Sequence, residues 1–135
     1  MSVFDTLRIA GSGLTAQRLR MDVAASNIAN AQTSRTPEGG PYQPESVWFE
    51  ATRMGATMAQ TGVTAAPLAT PNTTPKVVYD PRDPAADADG FVRLPDVDIA
   101  AQMADLMGSA RSSSMNATVV SAAKQNALDA LDMGR

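Results

Sequence analysis

The sequence contains no cysteine and no histidine. That excludes disulfides, thiol nucleophiles, cysteine-based zinc sites and imidazole general bases together. Aromatic residues are scarce, with one Trp, two Tyr and three Phe in 135 residues. Much of the apolar fraction is alanine instead. A large side chain contributes about 1.5–3 kcal/mol on burial, and alanine much less. The isolated chain is therefore expected to be marginally stable, with part of its ordering waiting for partners. No apolar run approaches the roughly 20 residues of a membrane span, so stable membrane insertion is not expected. The formal net charge of -3 supplies no basic footprint, and no nucleic-acid partner is expected. The N-terminus lacks a basic segment, an apolar h-region and a small-residue cleavage site, so no cleaved secretory signal is read there.

What is present is helical periodicity at both ends. Leu7, Leu14, Met21 and Ile28 recur at heptad spacing. Near the other end Ile99, Met103, Leu106, Ala110, Ala117, Val120, Ala127 and Leu131 form a second such series. Two seams of this kind pack on each other or on copies of the chain. The expected fold is mainly α with a small β-rich insert. Long N- and C-terminal helices pair like a coiled coil. Residues 1–35 and 96–135 form the terminal helical domain, and residues 36–95 the insert. Charge is uneven along it: residues 1–36 hold four Arg and two Asp, whereas residues 80–105 hold seven Asp and two Arg. Such asymmetry either orients subunits in an assembly or simply solvates exposed faces.

Ser2 and Asp5 have the spacing of a capping box ahead of the first apolar residues. A helix is expected from Val3 to Ala31. Gly11 and Gly13 lie inside it and each costs about 1 kcal/mol relative to Ala. They point to a bend, a close approach by a neighbour, or a separate first segment. Pro37, Gly39, Gly40, Pro41 and Pro44 then make a turn-rich loop. Extended runs are expected at 47–50, 62–65, 76–80 and 91–94. The Thr/Pro/Ala stretch 61–75 and the Asp/Pro stretch 80–90 separate them. Asp96 or Asp98 is the expected N-cap of the last helix. That helix reaches Met133, with Gly134 as its C-terminal cap. Gly108, Ser109 and Ser112 to Ser114 are indifferent helix formers in its middle, so packing has to hold that turn.

The chemical candidates are few. Asp87, Asp89 and Gly90 match positions three, five and six of a calcium loop, but Ala85 and Asp96 stand at positions one and twelve. The Asp residues are read as caps of turns and helices, and no metal ligands are assigned. Glu38, Glu45 and Glu50 are the only glutamates. No paired-carboxylate cleft for glycoside hydrolysis is legible from them, so no catalytic or cofactor-binding residue is assigned. Asn30 is read as the local end of the first helix. Asn27 lies within it, where its propensity gives no reason for it, and is read as an inter-helix hydrogen-bonding residue.

The stretch Ala24-Ala25-Ser26-Asn27-Ile28-Ala29-Asn30-Ala31, preceded by Gly11-Ser12-Gly13-Leu14-Thr15-Ala16-Gln17, resembles the N-terminal signature of flagellar rod and hook proteins. Within that group, the short length resembles the proximal-rod branch. So do the loop from Pro37 to Tyr42 and the run from Tyr79 to Asp98. Two places depart from the family pattern. Gln102 stands where an acidic residue is usual, and Ser114 to Ala117 replace an aromatic-Gln-Ala-Asn segment. The resemblance implies a structural, non-enzymatic subunit of the bacterial basal-body rod. Such subunits polymerise through their terminal helices into a tubular drive shaft that crosses the periplasm around the export channel. It implies contacts with copies of the chain and with other rod proteins. It also implies passage through the flagellar type III export apparatus without signal cleavage. The subunit contacts would fall on Leu7, Leu14, Met21, Asn27 and Ile28, and on Ile99, Met103, Leu106, Ala110, Ala117, Val120 and Leu131. Without the resemblance, the residues equally suit a soluble helical adaptor that binds one partner through its termini.

Overall fold

A computed structural model describes residues 2–55, 60–70 and 73–134. Helix α1 spans Val3–Ala29. The capping box forms at its start: Ser2 N–H donates to the Asp5 carboxylate at 3.0 Å, and Ser2 Oγ accepts from Phe4 N–H at 3.4 Å. The Ser2 N–H, helped by the Gln60 side chain and the Arg8 charge, holds the Asp5 carboxyl below its usual range. A depressed folded-state value means that this cap contributes above the ordinary carboxylate pKa and is lost as pH falls through the lowered one. On acidification, fraying of residues 3–6 by amide exchange is expected to precede loss of the rest of α1.

The helix ends two residues before the predicted Ala31. Asn30 N–H and Asn30 Nδ2 both donate to Ser26 O, at 3.0 and 2.9 Å, and the amide closes the last turn. Between these ends α1 runs unbroken through both glycines. Around Gly11 a Cβ would meet nothing within 4 Å, whereas at Gly13 it would lie 2.7 Å from Asn116 Nδ2. Of the expected alternatives, Gly13 serves the close approach of a second helix.

Strands β1 (Glu45–Arg53) and β2 (Thr61–Ala69) form an antiparallel hairpin, in register from Glu45↔Ala69 to Arg53↔Thr61. Both are longer than the sequence pattern predicts. Ala65, Ala66, Pro67 and Ala69 are poor strand formers, and only pairing with β1 extends them. Pro67 is tolerated because β2 is an edge strand. Pro71 and Asn72 of the Thr/Pro/Ala stretch lie outside the described residues. Strands β3 (Lys76–Tyr79) and β4 (Phe91–Leu94) make a second hairpin, on which the Tyr79 and Phe91 rings meet edge to face at 5.3 Å. Helix α2 (Ile99–Met133) starts on Asp98, whose carboxylate accepts from Ala100 and Ala101 N–H. Gly134 caps its end at φ -88, so the left-handed turn typical of a glycine cap is not used.

The two helices pack antiparallel. Asn27 meets Gln102, Arg20 meets Asp105, and Gly13 meets Asn116. The β1–β2 hairpin docks on α1. Ser12 Oγ donates to Ile9 O at 2.7 Å and accepts from Val63 N–H at 3.1 Å, while Arg8 donates to Met54 O. The buried hydrophobic side chains among the described residues are Ala10, Ala16, Val23, Ala24, Val92 and Ala123. This core is made mostly of methyl groups. Close backbone approach takes the place of bulky side chains, and at Gly62 β2 lies close against Ser12 of α1. A Cβ there would lie 2.5 Å from Met54 Sδ and 2.8 Å from Ser12 Oγ.

Two glycine substitutions are therefore expected to act in opposite directions in urea unfolding. Gly11→Ala gains helix propensity in open space and stabilises by up to about 1 kcal/mol. Gly62→Val wedges the hairpin off Ser12 and destabilises by about 1–3 kcal/mol.

Candidate assembly surface

The most completely bonded side chain is Asn27, buried to 1 % exposure in the last turns of α1. Its Nδ2 donates to Glu45 O at 2.7 Å and to Gln102 Oε1 at 3.1 Å. Its Oδ1 accepts from Glu45 N–H and from Tyr42 OH, both at 3.0 Å. One amide thus ties α1 to α2, to the first residue of β1 and to the loop before it. That loop turns back through Gly39 and Gly40, both at positive φ, which brings Tyr42 within reach. The inter-helix bond read from the sequence is present, within a single chain. Beside it Arg20 pairs with Asp105 and lies 5.9 Å from the Phe49 ring centroid. Both ionic side chains are about two-fifths exposed, so this pair contributes at most about 1 kcal/mol.

From this pinned end the contact row of α2 runs through Gln102, Leu106, Ser109, Ser113, Asn116, Val120, Ala123 and Ala127. The steps alternate four and three, and every member is buried or half-buried. Of the α2 positions expected at an interface, Leu106 and Val120 lie on this row. Ile99, Met103, Ala110, Ala117 and Leu131 are exposed. The displacement has a simple cause. Serine, asparagine and alanine share the contact row with Leu106 and Val120, and a search for large apolar residues also picks out the neighbouring face. On α1 the facing row is Gly13, Arg20, Ala24 and Asn27. Leu7, Leu14, Met21 and Ile28 lie about a quarter turn away.

The displaced series nonetheless meet each other. Leu14 and Met21 share an open groove with Leu106 and Ser113. Toward the far end Val3, Phe4 and Leu7 share another with Ala127, Leu128 and Leu131. Leu7, Leu14, Met21, Leu106 and Leu131 of the sequence-derived residues thus line these two grooves of the helix pair. Phe4, Met107, Leu128 and Met133 add to the exposed apolar surface and escaped the sequence reading. The four-residue step from Met103 to Met107 was the available signal.

The acidic segment is engaged internally. Asp80 Oδ1 accepts from Arg82 N–H, Asp83 Oδ1 from Ala85 N–H, and Asp87 Oδ1 from both Asp89 and Phe91 N–H. These are turn-forming bonds, made where a calcium loop would point its carboxylates inward. Gly90, at φ +81, lies against the Tyr79 ring.

No helix among the described residues is long and apolar enough to cross a membrane. Residues 7–35 match the family model described as "Flagella basal body rod protein", and residues 88–133 the one described as "Flagellar basal body rod FlgEFG protein C-terminal". The antiparallel terminal helices are therefore those of the basal-body rod class, a class of structural proteins and not of enzymes. Similarity then narrows the class. The chain is 38% identical over 135 residues to "Flagellar basal-body rod protein FlgC" of Escherichia coli O6:H1, with 100% of both chains covered. It is 37% identical over 135 residues to that of Salmonella typhimurium and 35% identical over 150 residues to that of Bacillus subtilis, again with 100% coverage of each. It belongs to the FlgC family of flagellar basal-body rod proteins.

Replacing Asn27 tests the tie on which this surface is mounted. Asn27→Leu leaves the Glu45 amide and carbonyl unpaired and is expected to cost about 2–5 kcal/mol in urea unfolding. Asn27→Asp keeps the acceptors but cannot donate when ionised. Its loss is expected to be largest at neutral pH and to shrink on acidification, as protonation restores a donor.

Proposed function

We propose that this chain is a structural subunit of the proximal part of the flagellar rod. It polymerises with copies of itself and with other rod proteins through the flank and outer face of its helix pair. Residues 1–35 and 96–135 act together as the axial unit that surrounds the export channel. Residues 36–95 stand off it as a β-rich insert. The observation that carries this reading is the inversion of the helix pair. Alanine, serine and glycine fill its inside, while Met103, Met107, Leu128 and Leu131 stand outside. Exposed apolar surface of that extent marks a contact face. Helical polymers require heterologous contacts between different faces of successive copies, and the grooved flank and the α2 outer stripe are two such faces. Passage through the type III export apparatus fits the same composition. A small core without disulfides unfolds readily enough to be threaded.

The test is assembly of purified protein and of rods in cells. Met103→Asp and Leu131→Asp both fall on exposed positions, so monomer stability should change by no more than about 0.5 kcal/mol. Their combination is expected to abolish rod formation and motility while the monomer keeps its helical circular dichroism. Normal rods carrying both substitutions would place the contact elsewhere.

A further inference from the structure

We infer that the insert carries two complementary faces, and that the outer face of β1–β2 on one copy seats against the outer face of β3–β4 on the next. The inference rests on the proposed function and gives the insert a contact of its own, separate from those of the helix pair.

Successive side chains of a strand point to opposite faces, and directly paired residues share one. In the first hairpin Val47, Phe49, Val63 and Ala65 are half-buried on the side docked on α1. Trp48, Glu50 and Leu68 stand on the other side, where Trp48 is 63 % and Leu68 53 % exposed. In the second hairpin Val92 is buried on one face. Val77, Tyr79, Phe91 and Arg93 share the opposite face, and all four are exposed. The two hairpins are separate sheets, so neither outer face covers the other in the single chain. Three of the six aromatic residues, Trp48, Tyr79 and Phe91, thus stand outward on the insert. Aromatic side chains and arginine are the types enriched at the centres of protein interfaces.

Charge distinguishes the two faces. Glu50 lies two residues from Trp48 on the first. On the second, Arg93 lines a pocket of about 310 Å3 together with Arg35, Pro41 and Phe91. Asp87 also lines it, with Oδ1 accepting from Asp89 and Phe91 N–H, and two guanidinium groups against one carboxylate leave the pocket cationic. Among the described residues Glu50, Arg35 and Arg93 make no ion pair. Two copies meeting through like faces would oppose Glu50 to Glu50 or Arg93 to Arg93. Unlike faces join aromatic to aromatic and carboxylate to guanidinium. Unlike pairing also leaves one open face on each outer copy, the heterologous pattern by which a helical polymer extends. Each face is far smaller than the roughly 20–30 residues a side of a stable interface. The contact therefore forms between copies that the helix pairs already hold together, and it does not dimerise the free chain.

The test is made in basal bodies from cells, and the lack of native cysteine makes introduced thiols unambiguous. Two differently tagged copies are co-expressed, one with Glu50→Cys and one with Arg93→Cys, and treated with a short bis-maleimide. A cross-link between the two tags is expected, and none when either variant is present alone. Glu50→Arg and Arg93→Glu are each expected to reduce motility, and the two changes in one chain to restore it. Basal bodies that contain both cysteine variants without the mixed cross-link overturn the inference and leave the proposed function standing. So does a double charge reversal no better than the single ones. A wild-type tagged chain missing from basal bodies overturns the proposed function, and this contact with it.

Discussion

The fold depends on the four hydrogen bonds of Asn27. An asparagine amide is one of few neutral groups that can donate twice and accept twice in a plane. Here it meets a backbone N–H and C=O of the same residue, Glu45, as a further strand residue would. It therefore begins β1 at a fixed place on α1. The remaining donor reaches Gln102 and fixes the register of α2. No apolar side chain could set both at once, because dispersion contacts are not directional. In a chain whose core is largely alanine, register has to come from such a bond.

The same poverty of large core residues explains where the large residues went. Two helices that meet at Gly13, Ala24, Ser109 and Ala123 come close enough that few bulky side chains fit between them. Leucine and methionine are pushed to the flanks and the outside. A monomer built this way retains exposed apolar surface. On the proposed function, the burial that a globular domain gains on folding is deferred to association.

Much of this was legible in residues. The capping box, the Asp98 cap, the turn glycines at 39 and 40, and the four strands follow from local chemistry, and the helix limits fell within two residues. Asn27 was legible as an anomaly, a turn-loving residue within a helix. Its partners were not, since Tyr42, Glu45 and Gln102 are brought to it only by the tertiary fold. On α2, Leu106 and Val120 of the apolar series face α1, beside serine, asparagine and alanine residues that a periodicity of large apolar residues does not pick out. The other members of the series expected at subunit contacts, Ile99, Met103, Ala110, Ala117 and Leu131, are exposed in the single chain. The β2 extension through Pro67 was invisible, since its strand character comes from β1.

Gln102 stands where the resemblance to rod proteins implies an acidic residue, and the amide can serve the same bond. The position has to accept a hydrogen bond from Asn27, and an amide oxygen or a carboxylate oxygen does this equally well. What differs is charge. Asp105 lies one turn further along the same face and pairs with Arg20. A carboxylate at 102 would sit three residues from Asp105, where like charges on a helix repel, and would compete with it for the single Arg20 guanidinium. With glutamine at 102 the acceptor is kept and Arg20 is left to Asp105, where it also lies over Phe49. The neutral residue thus separates two tasks, register through Asn27 and the side-chain link from α1 to β1 and α2 through Arg20.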